Sequence, residues 1–269
     1  MRNLLKYPIL LAGAVIFSYP FLWMMAGSFK PELEISNFAL WSSELSLRSY
    51  QQVVTKIPIT RAFINSLFVS LSVTISVVVF GSMVGYALAK LRFVGRNVLY
   101  LLILFTMVIP FQLTLIPQYI LMVKLGLTDT YLALIAPTMM SAFSIILFRQ
   151  FFASVPNALL DAARIDGCSE LYILFRLVWP LARPTVITVA ILTFMTSWNE
   201  VLWPLIVIRE RTLMTMPQLV TIFVTGGEAE AQLGALLAAA TLLALPVVIA
   251  YAFFQRYFIE SMVSTGLKG

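Results

Sequence analysis

The stretch Asp161–Pro184 reads DAARIDGCSELYILFRLVWPLARP and lies between two long apolar runs. Here the chain turns amphipathic, gathers charge, and spaces one glycine and two prolines along 24 residues. Upstream, Pro156-Asn157 marks a helix start: proline disfavours helix in the residue before it, and asparagine is a good cap. Ala158, Leu159, Ala162, Ala163 and Ile165 are expected on roughly one side of that helix. Asp161, Arg164 and Asp166 take the other positions. Gly167 adopts a positive φ at low cost and suits a sharp turn. A second short helix is expected through Leu171, Tyr172, Leu174 and Phe175, after which Pro180 and Pro184 lead into the next apolar run. The expectation is a helix–turn–helix over 154–183, lying across one face of a membrane. Two readings fit it: a lever gripped by a soluble partner, or an interfacial helix with no partner.

Outward from this loop the chain is apolar. It has 269 residues, 61% hydrophobic and 11% charged, with a mean hydropathy of +0.95. Soluble domains carry about 25% charged residues, so the composition points to an all-α polytopic membrane protein. At about 20 residues per crossing, six spans are expected, over 8–29, 63–88, 98–122, 131–152, 184–207 and 234–257. They form one transmembrane domain over 1–269. Segments of about ten residues with alternating hydropathy are absent, which argues against a β-barrel. The first apolar run is longer than a signal-peptide core and is expected to stay as an uncleaved span.

Chemistry is scarce. There is no histidine, and the one cysteine is Cys168, so neither a His/Cys zinc site nor a histidine-based triad is available. No G-x4-GK[ST] phosphate loop occurs, and no cofactor is implied. If ATP drives this protein, another chain binds it.

Lys and Arg favour cytoplasmic loops. With the amino terminus inside, the inner side holds eleven of the eighteen: Arg2, Lys6, Lys90, Arg92, Arg96, Arg149, Arg164, Arg176, Arg183, Arg256 and Lys268. The outer side holds Lys30, Arg48, Lys56, Arg61, Lys124, Arg209 and Arg211. Both termini are therefore expected in the cytoplasm. The net charge of +6 reads as membrane topology, with no nucleic-acid surface in it.

Prolines at 20, 110, 117, 137, 204 and 246 fall within expected spans, either as hinges or as ordinary membrane-helix shaping. Gly81, Ser82 and Gly85, with Ala238–Ala240, offer close helix approach, more readily within one chain than across a dimer seam. Glu200 lies in an apolar run beside Trp198 and Asn199. A carboxylate there is costly and faces protein or water. It is open to two readings: a cavity group that hydrogen-bonds a polar ligand with a tryptophan stacked on it, or a packing contact near the outer interface.

The loop resembles the ATPase-gripping loop of bacterial ABC importer permeases. That pattern runs Glu-Ala-Ala, three residues, Gly, nine residues, an aliphatic, one residue, Leu-Pro. The chain offers Asp161-Ala162-Ala163, Gly167, Leu177 and Trp179-Pro180 at that spacing, with Asp161 for Glu and Trp179 for Leu. Nearly the whole chain is similar to the smaller permease of carbohydrate importers of the maltose-transporter type. MVIPFQLTLIPQYILMVKLGLTDTYLALI (107–135), FRQFFASVP (148–156), TSWNEVLWPL (196–205) and GLKG (266–269) carry this.

The resemblance implies a type I importer-permease fold in the bacterial cytoplasmic membrane. It also implies a second permease subunit, two cytoplasmic ATPase subunits and an extracytoplasmic sugar-binding protein, with hydrolysis in the ATPases. By it Asp161 pairs with a basic ATPase residue, Ala162 and Ala163 enter a groove, and Asp166, Gly167, Leu177 and Pro180 complete the coupling motif. Gly266, Leu267, Lys268 and Gly269 form a tail that reaches the ATPase. Oligosaccharides, disaccharides and glycerol-phosphate-like polyols stay open as substrates. A stand-alone secondary transporter is the alternative; it normally needs ionisable residues within spans, and Glu200 is the one candidate. An intramembrane enzyme lacks an acid pair or histidine.

Overall fold

The computed structural model describes residues 6–37, 39–42, 44–226 and 232–266. Most of those residues are helical, with no strand among them. Two compact units emerge, one from 1–63 with 215–249, the other from 64–214 with 250–269.

In the first unit, helix α1 (Lys6–Ser28) exposes most of its apolar side chains, as a lipid-facing helix does. A short connection holds a 3-10 turn (Glu32–Glu34) and α2 (Arg48–Lys56). Lys30, assigned to the outer side between expected spans, is buried. Its ammonium donates to the carbonyls of Asn37 and Ala39, which replace its water. Glu32 accepts from the backbone N–H groups of Leu233 and Gly234 at the start of the last helix, α14 (Leu233–Gly266). A carboxylate at a helix amino terminus satisfies orphan donors and suits the helix dipole. Ala235, Ala238 and Ala239 are fully buried. The run before α14 is not a plain loop: it contains α13 (Met216–Thr225), with Pro217 in its first turn and most of its side chains buried. Ten residues are too few to span, which is why hydropathy alone leaves this helix unmarked.

The second unit is built on residues 64–90 of α3 (Ile59–Lys90), a helix unbroken over 32 residues. Near one end of α3, Asn65 is buried with its polar atoms satisfied. Its Nδ2 donates to the carbonyls of Thr212 (3.0 Å) and Met214 (2.9 Å), and its Oδ1 accepts from the Tyr131 hydroxyl (2.8 Å). Further along, α3 meets α7 (Ala142–Ser154) with almost no gap. A Cβ built on Gly85 would lie 2.7 Å from Phe148 Cβ and 3.0 Å from the Arg149 nitrogen and the Ile145 oxygen. The small residues at 81 and 85 therefore serve packing within this chain.

Three expected spans are not continuous helices. Over 98–122 the chain forms α4 (Arg96–Thr106) and α5 (Phe111–Lys124), bent by 102°. Pro110, lacking an N–H, sits where α5 begins. Over 131–152, α6 (Tyr131–Ile135) continues through a 3-10 turn holding Pro137 and bends by 43° into α7. Over 184–207, α11 (Arg183–Trp198) stops, and α12 (Leu202–Val207) starts after a break at 199–201. Among the described residues three helices are long and apolar enough to cross a membrane, or up to six if each bent pair counts as one span; the third such pair is the segment 170–181 with α11, which meet at 90°. Pro20, Pro117 and Pro246 sit within α1, α5 and α14 without ending them.

Gly85→Ala is expected to cost about 1–3 kcal/mol, because the new methyl overpacks a backbone-to-backbone contact. A lower melting temperature in detergent, set against Gly13→Ala where a Cβ meets nothing within 4 Å, checks this.

Candidate functional site

The loop over 154–183 folds as a helix–turn–helix. Helix α8 (Asn157–Ile165) opens after Pro156, whose φ of −60° and ψ of 130° hold the chain extended before it. It closes on a Schellman turn. The Cys168 N–H donates to the Ala163 carbonyl and the Gly167 N–H to the Arg164 carbonyl, both at 3.0 Å. Gly167 has φ +79°, which glycine adopts freely and other residues do not. Ser169 then caps the next segment, its Oγ accepting from the Tyr172 N–H at 3.3 Å. That segment runs through α9 (Glu170–Tyr172), a π-helical stretch (Ile173–Val178) and α10 (Trp179–Leu181). Pro180 has no N–H for a helical bond, and its ring crowds the carbonyl four residues back, so a widened turn precedes it.

The inward side of α8 carries Leu160 and Ala163, both buried. Asp161, Ala162, Ile165 and Asp166 are exposed, with Ile165 85% accessible. This corrects the expected apolar face. Ala162 and Ile165 point away from the chain, while Ala163 is spent on its own packing and is not available to a groove elsewhere. Leu177 is half-buried and Pro180 exposed. The Trp179 indole packs edge-on against Phe175, centroids 4.9 Å apart.

Arg164 organises the charges. Its Nη1 donates to Asp161 Oδ1 (2.9 Å), its Nε to Glu170 Oε1 (2.8 Å) and its Nη2 to Glu170 Oε2 (3.3 Å). Glu170 Oε2 also accepts from the Tyr86 hydroxyl of α3 at 2.6 Å. Lys90, one turn on from Tyr86, donates to the Val155 carbonyl (2.6 Å) and to Asn157 Oδ1 (2.9 Å). The Arg164 bonds hold the Glu170 carboxyl below its ordinary range, opposing the upward push of burial. Bonds to Glu170, then to Asp161, hold Arg164 firmly charged. Tyr86, Lys90 and Glu170 escaped the sequence reading. Tyr86 and Glu170 are 84 residues apart, and no local signal links them.

Trp198, Asn199 and Glu200 do not form one constellation. Trp198 is fully buried, its ring stacked on Phe194 at 5.9 Å, so its face is not offered to a ligand. Asn199 is exposed and donates to the Met195 carbonyl (2.8 Å). Glu200, half-buried, accepts from the Trp203 N–H (3.1 Å) at the start of α12. The Trp203 indole donates to the Ala133 carbonyl (2.8 Å). In the loop after α5, the Asp129 carboxylate accepts from the N–H groups of Glu210 and Arg209, which lower its pKa. Gly266 ends α14; Leu267, Lys268 and Gly269 lie outside the described residues.

A model of the family of binding-protein-dependent transport system inner membrane components matches residues 54–264. The chain belongs to that family. It is a multi-pass inner membrane component of such a system, and the stand-alone secondary transporter falls away as a reading. The chain is 37% identical over 262 residues to the arabinooligosaccharides transport system permease protein AraQ of Halalkalibacterium halodurans, covering 95% of this chain and 93% of that one. It is 28% identical to the lactose transport system permease protein LacG of Rhizobium radiobacter, covering 98% and 96%. Its fold matches the crystal structure of a bacterial ABC transporter involved in the import of the acidic polysaccharide alginate. That match has a TM-score of 0.81 and 25% identity, over 95% of this chain and 96% of that one.

Because the Glu170 pKa is lower folded than unfolded, its stabilising effect is full above the ordinary value of 4.5 and is lost as pH falls through the folded value. The melting temperature in detergent is expected to decline on acidification below about 4.5, and to decline less steeply in Glu170→Gln.

Proposed function

We propose that this chain is the non-catalytic permease subunit of an ATP-driven carbohydrate importer, and that α8 is its coupling helix. The observation that carries this is the exposed face of Asp161, Ala162 and Ile165 on a short helix fixed at both ends. Such a helix presents one carboxylate and a low apolar surface to a soluble partner while its other side is locked to the membrane helices. In this reading the partners are a second permease, two cytoplasmic ATPase subunits and an extracytoplasmic binding protein. Hydrolysis belongs to the ATPases. Both termini and the 154–183 loop face the cytoplasm, and the tail from Gly266 to Gly269 meets the ATPase.

Relatives named for arabinooligosaccharide and lactose transport, with a structural likeness named for alginate import, support a carbohydrate cargo. Asn199 and Glu200, at the break between α11 and α12, are the cavity-facing pair of this reading. Trp198 is left out of it on account of its burial. Asp161, Ala162, Asp166, Gly167, Leu177 and Pro180 are retained in the coupling motif. Ala163 acts by packing α8 in place.

Affinity purification of the tagged chain from its native membrane is expected to bring down an ATPase subunit. Asp161→Lys is expected to reduce the yield by about tenfold, since reversing a contact charge costs more than about 1.4 kcal/mol. A chain that purifies without an ATPase and still drives uptake in proteoliposomes would overturn the proposal. Cys168 is the one native thiol and reports orientation. A membrane-impermeant maleimide is expected to label it in inside-out vesicles and not in intact spheroplasts.

A further inference from the structure

The coupling loop is continuous in sequence with α7, through Val155 and Pro156, and with α11, through α10. Any displacement of α8 therefore pulls on those two helices through the backbone. Helix α3 has no such connection: Tyr86 and Lys90 are 84 and 67 residues from Glu170 and Asn157, their partners in the loop. Yet α3 is the long helix of this unit, and its far end carries the Asn65 network.

The structure supplies polar ties at both ends of α8. Lys90 grips the start, donating to the Val155 carbonyl and to Asn157 Oδ1. Tyr86, one turn back on the same side of α3, grips the end by way of Glu170 and Arg164. Tyr86 is almost fully buried, and its ring meets Phe152 edge-on at 6.1 Å. Phenol O–H to carboxylate and guanidinium to carboxylate are among the stronger hydrogen bonds, and the double Arg164–Glu170 contact fixes direction as well as distance. Two ties on one side of a rigid helix transmit rotation, which a single contact does not.

We infer that Tyr86 and Lys90 are positioning residues through which α3 follows the coupling helix, with Arg164–Glu170 as the strut between Tyr86 and α8 and Lys90 bound directly at its start. This rests on the reading of α8 as the ATPase-facing helix. The same guanidinium holds Asp161 within α8, so the strut also orients the exposed carboxylate.

The test uses the intact importer, co-purified and reconstituted, with Cys168→Ser and a reporter cysteine, Arg61→Cys, at the far end of α3. The rate of reaction with an impermeant maleimide is compared without nucleotide and with MgATP plus orthovanadate. The parent is expected to change its rate on trapping. Tyr86→Phe is expected to lose most of that change while ATPase subunits co-purify and hydrolyse ATP as before. Glu170→Gln keeps an acceptor for the Tyr86 hydroxyl but loses the ion pair with Arg164, and an intermediate response is expected. Tyr86→Phe with the parent's full response would overturn the inference and leave the importer reading standing. Loss of the ATPase subunits in both variants would mark a merely structural role and overturn it too. A parent without ATPase or nucleotide response would remove the importer reading, and the strut with it.

Discussion

One guanidinium sets the geometry on which the functional end of this molecule depends. Arg164 lies within α8, bonds Asp161 one turn back, and bonds Glu170 across the Gly167 turn. Both helical pieces of the loop are thereby fixed relative to each other. Through Glu170 the pair is fixed to Tyr86 of α3. Each contact alone is small, since partly exposed ion pairs contribute about 0–1 kcal/mol. Their value is in direction: a planar fork with three bonded nitrogens leaves little freedom to rotate.

A second constraint is the bilayer, where backbone groups need internal partners. At the break in the fifth expected span a side chain supplies the missing partner, and two loops outside the spans use the same device. Where α11 stops, the Glu200 carboxylate accepts the Trp203 N–H, and the buried Trp203 indole donates to Ala133. At the turn after α5, Asp129 takes a φ of +56° and accepts two backbone N–H groups. At the head of α14, Glu32 does the same service. Three carboxylates that composition presents as scattered charges are in fact helix-end and loop-end clamps. Glu200, a carboxylate in an apolar run, is half-buried and accepts a backbone donor at the break.

Much of the coupling loop was legible in the sequence because its signals are local. Pro156, Gly167 and Pro180 act through dihedral limits and missing donors within a few residues, so start, turn and end fell where expected; Asn157 is not the expected cap but the first helical residue, after Pro156, and its Oδ1 accepts from Lys90. The face of α8 was not legible. An apolar list that includes Leu159 and Ile165 describes an amphipathic helix, but which side is covered depends on what packs against it. Leu160 and Ala163 face the chain, and Ile165 does not. Trp198 failed as a ligand platform for the same reason: aromatic character is visible in the sequence, burial is not.

The sequence by itself determined the membrane class, the helical content, the position of the amphipathic loop and the spacing that carries the family resemblance. Those follow from hydropathy summed over about 20 residues and from the fixed chemistry of glycine and proline. Tertiary structure alone decided that the third and fourth apolar runs bend and the fifth breaks, that Lys30 is buried against carbonyls, and that Tyr86 reaches Glu170. These are non-local outcomes. A hydrogen bond between residues 84 apart exists only once α3 and the loop are packed side by side, and nothing in either segment alone specifies the other.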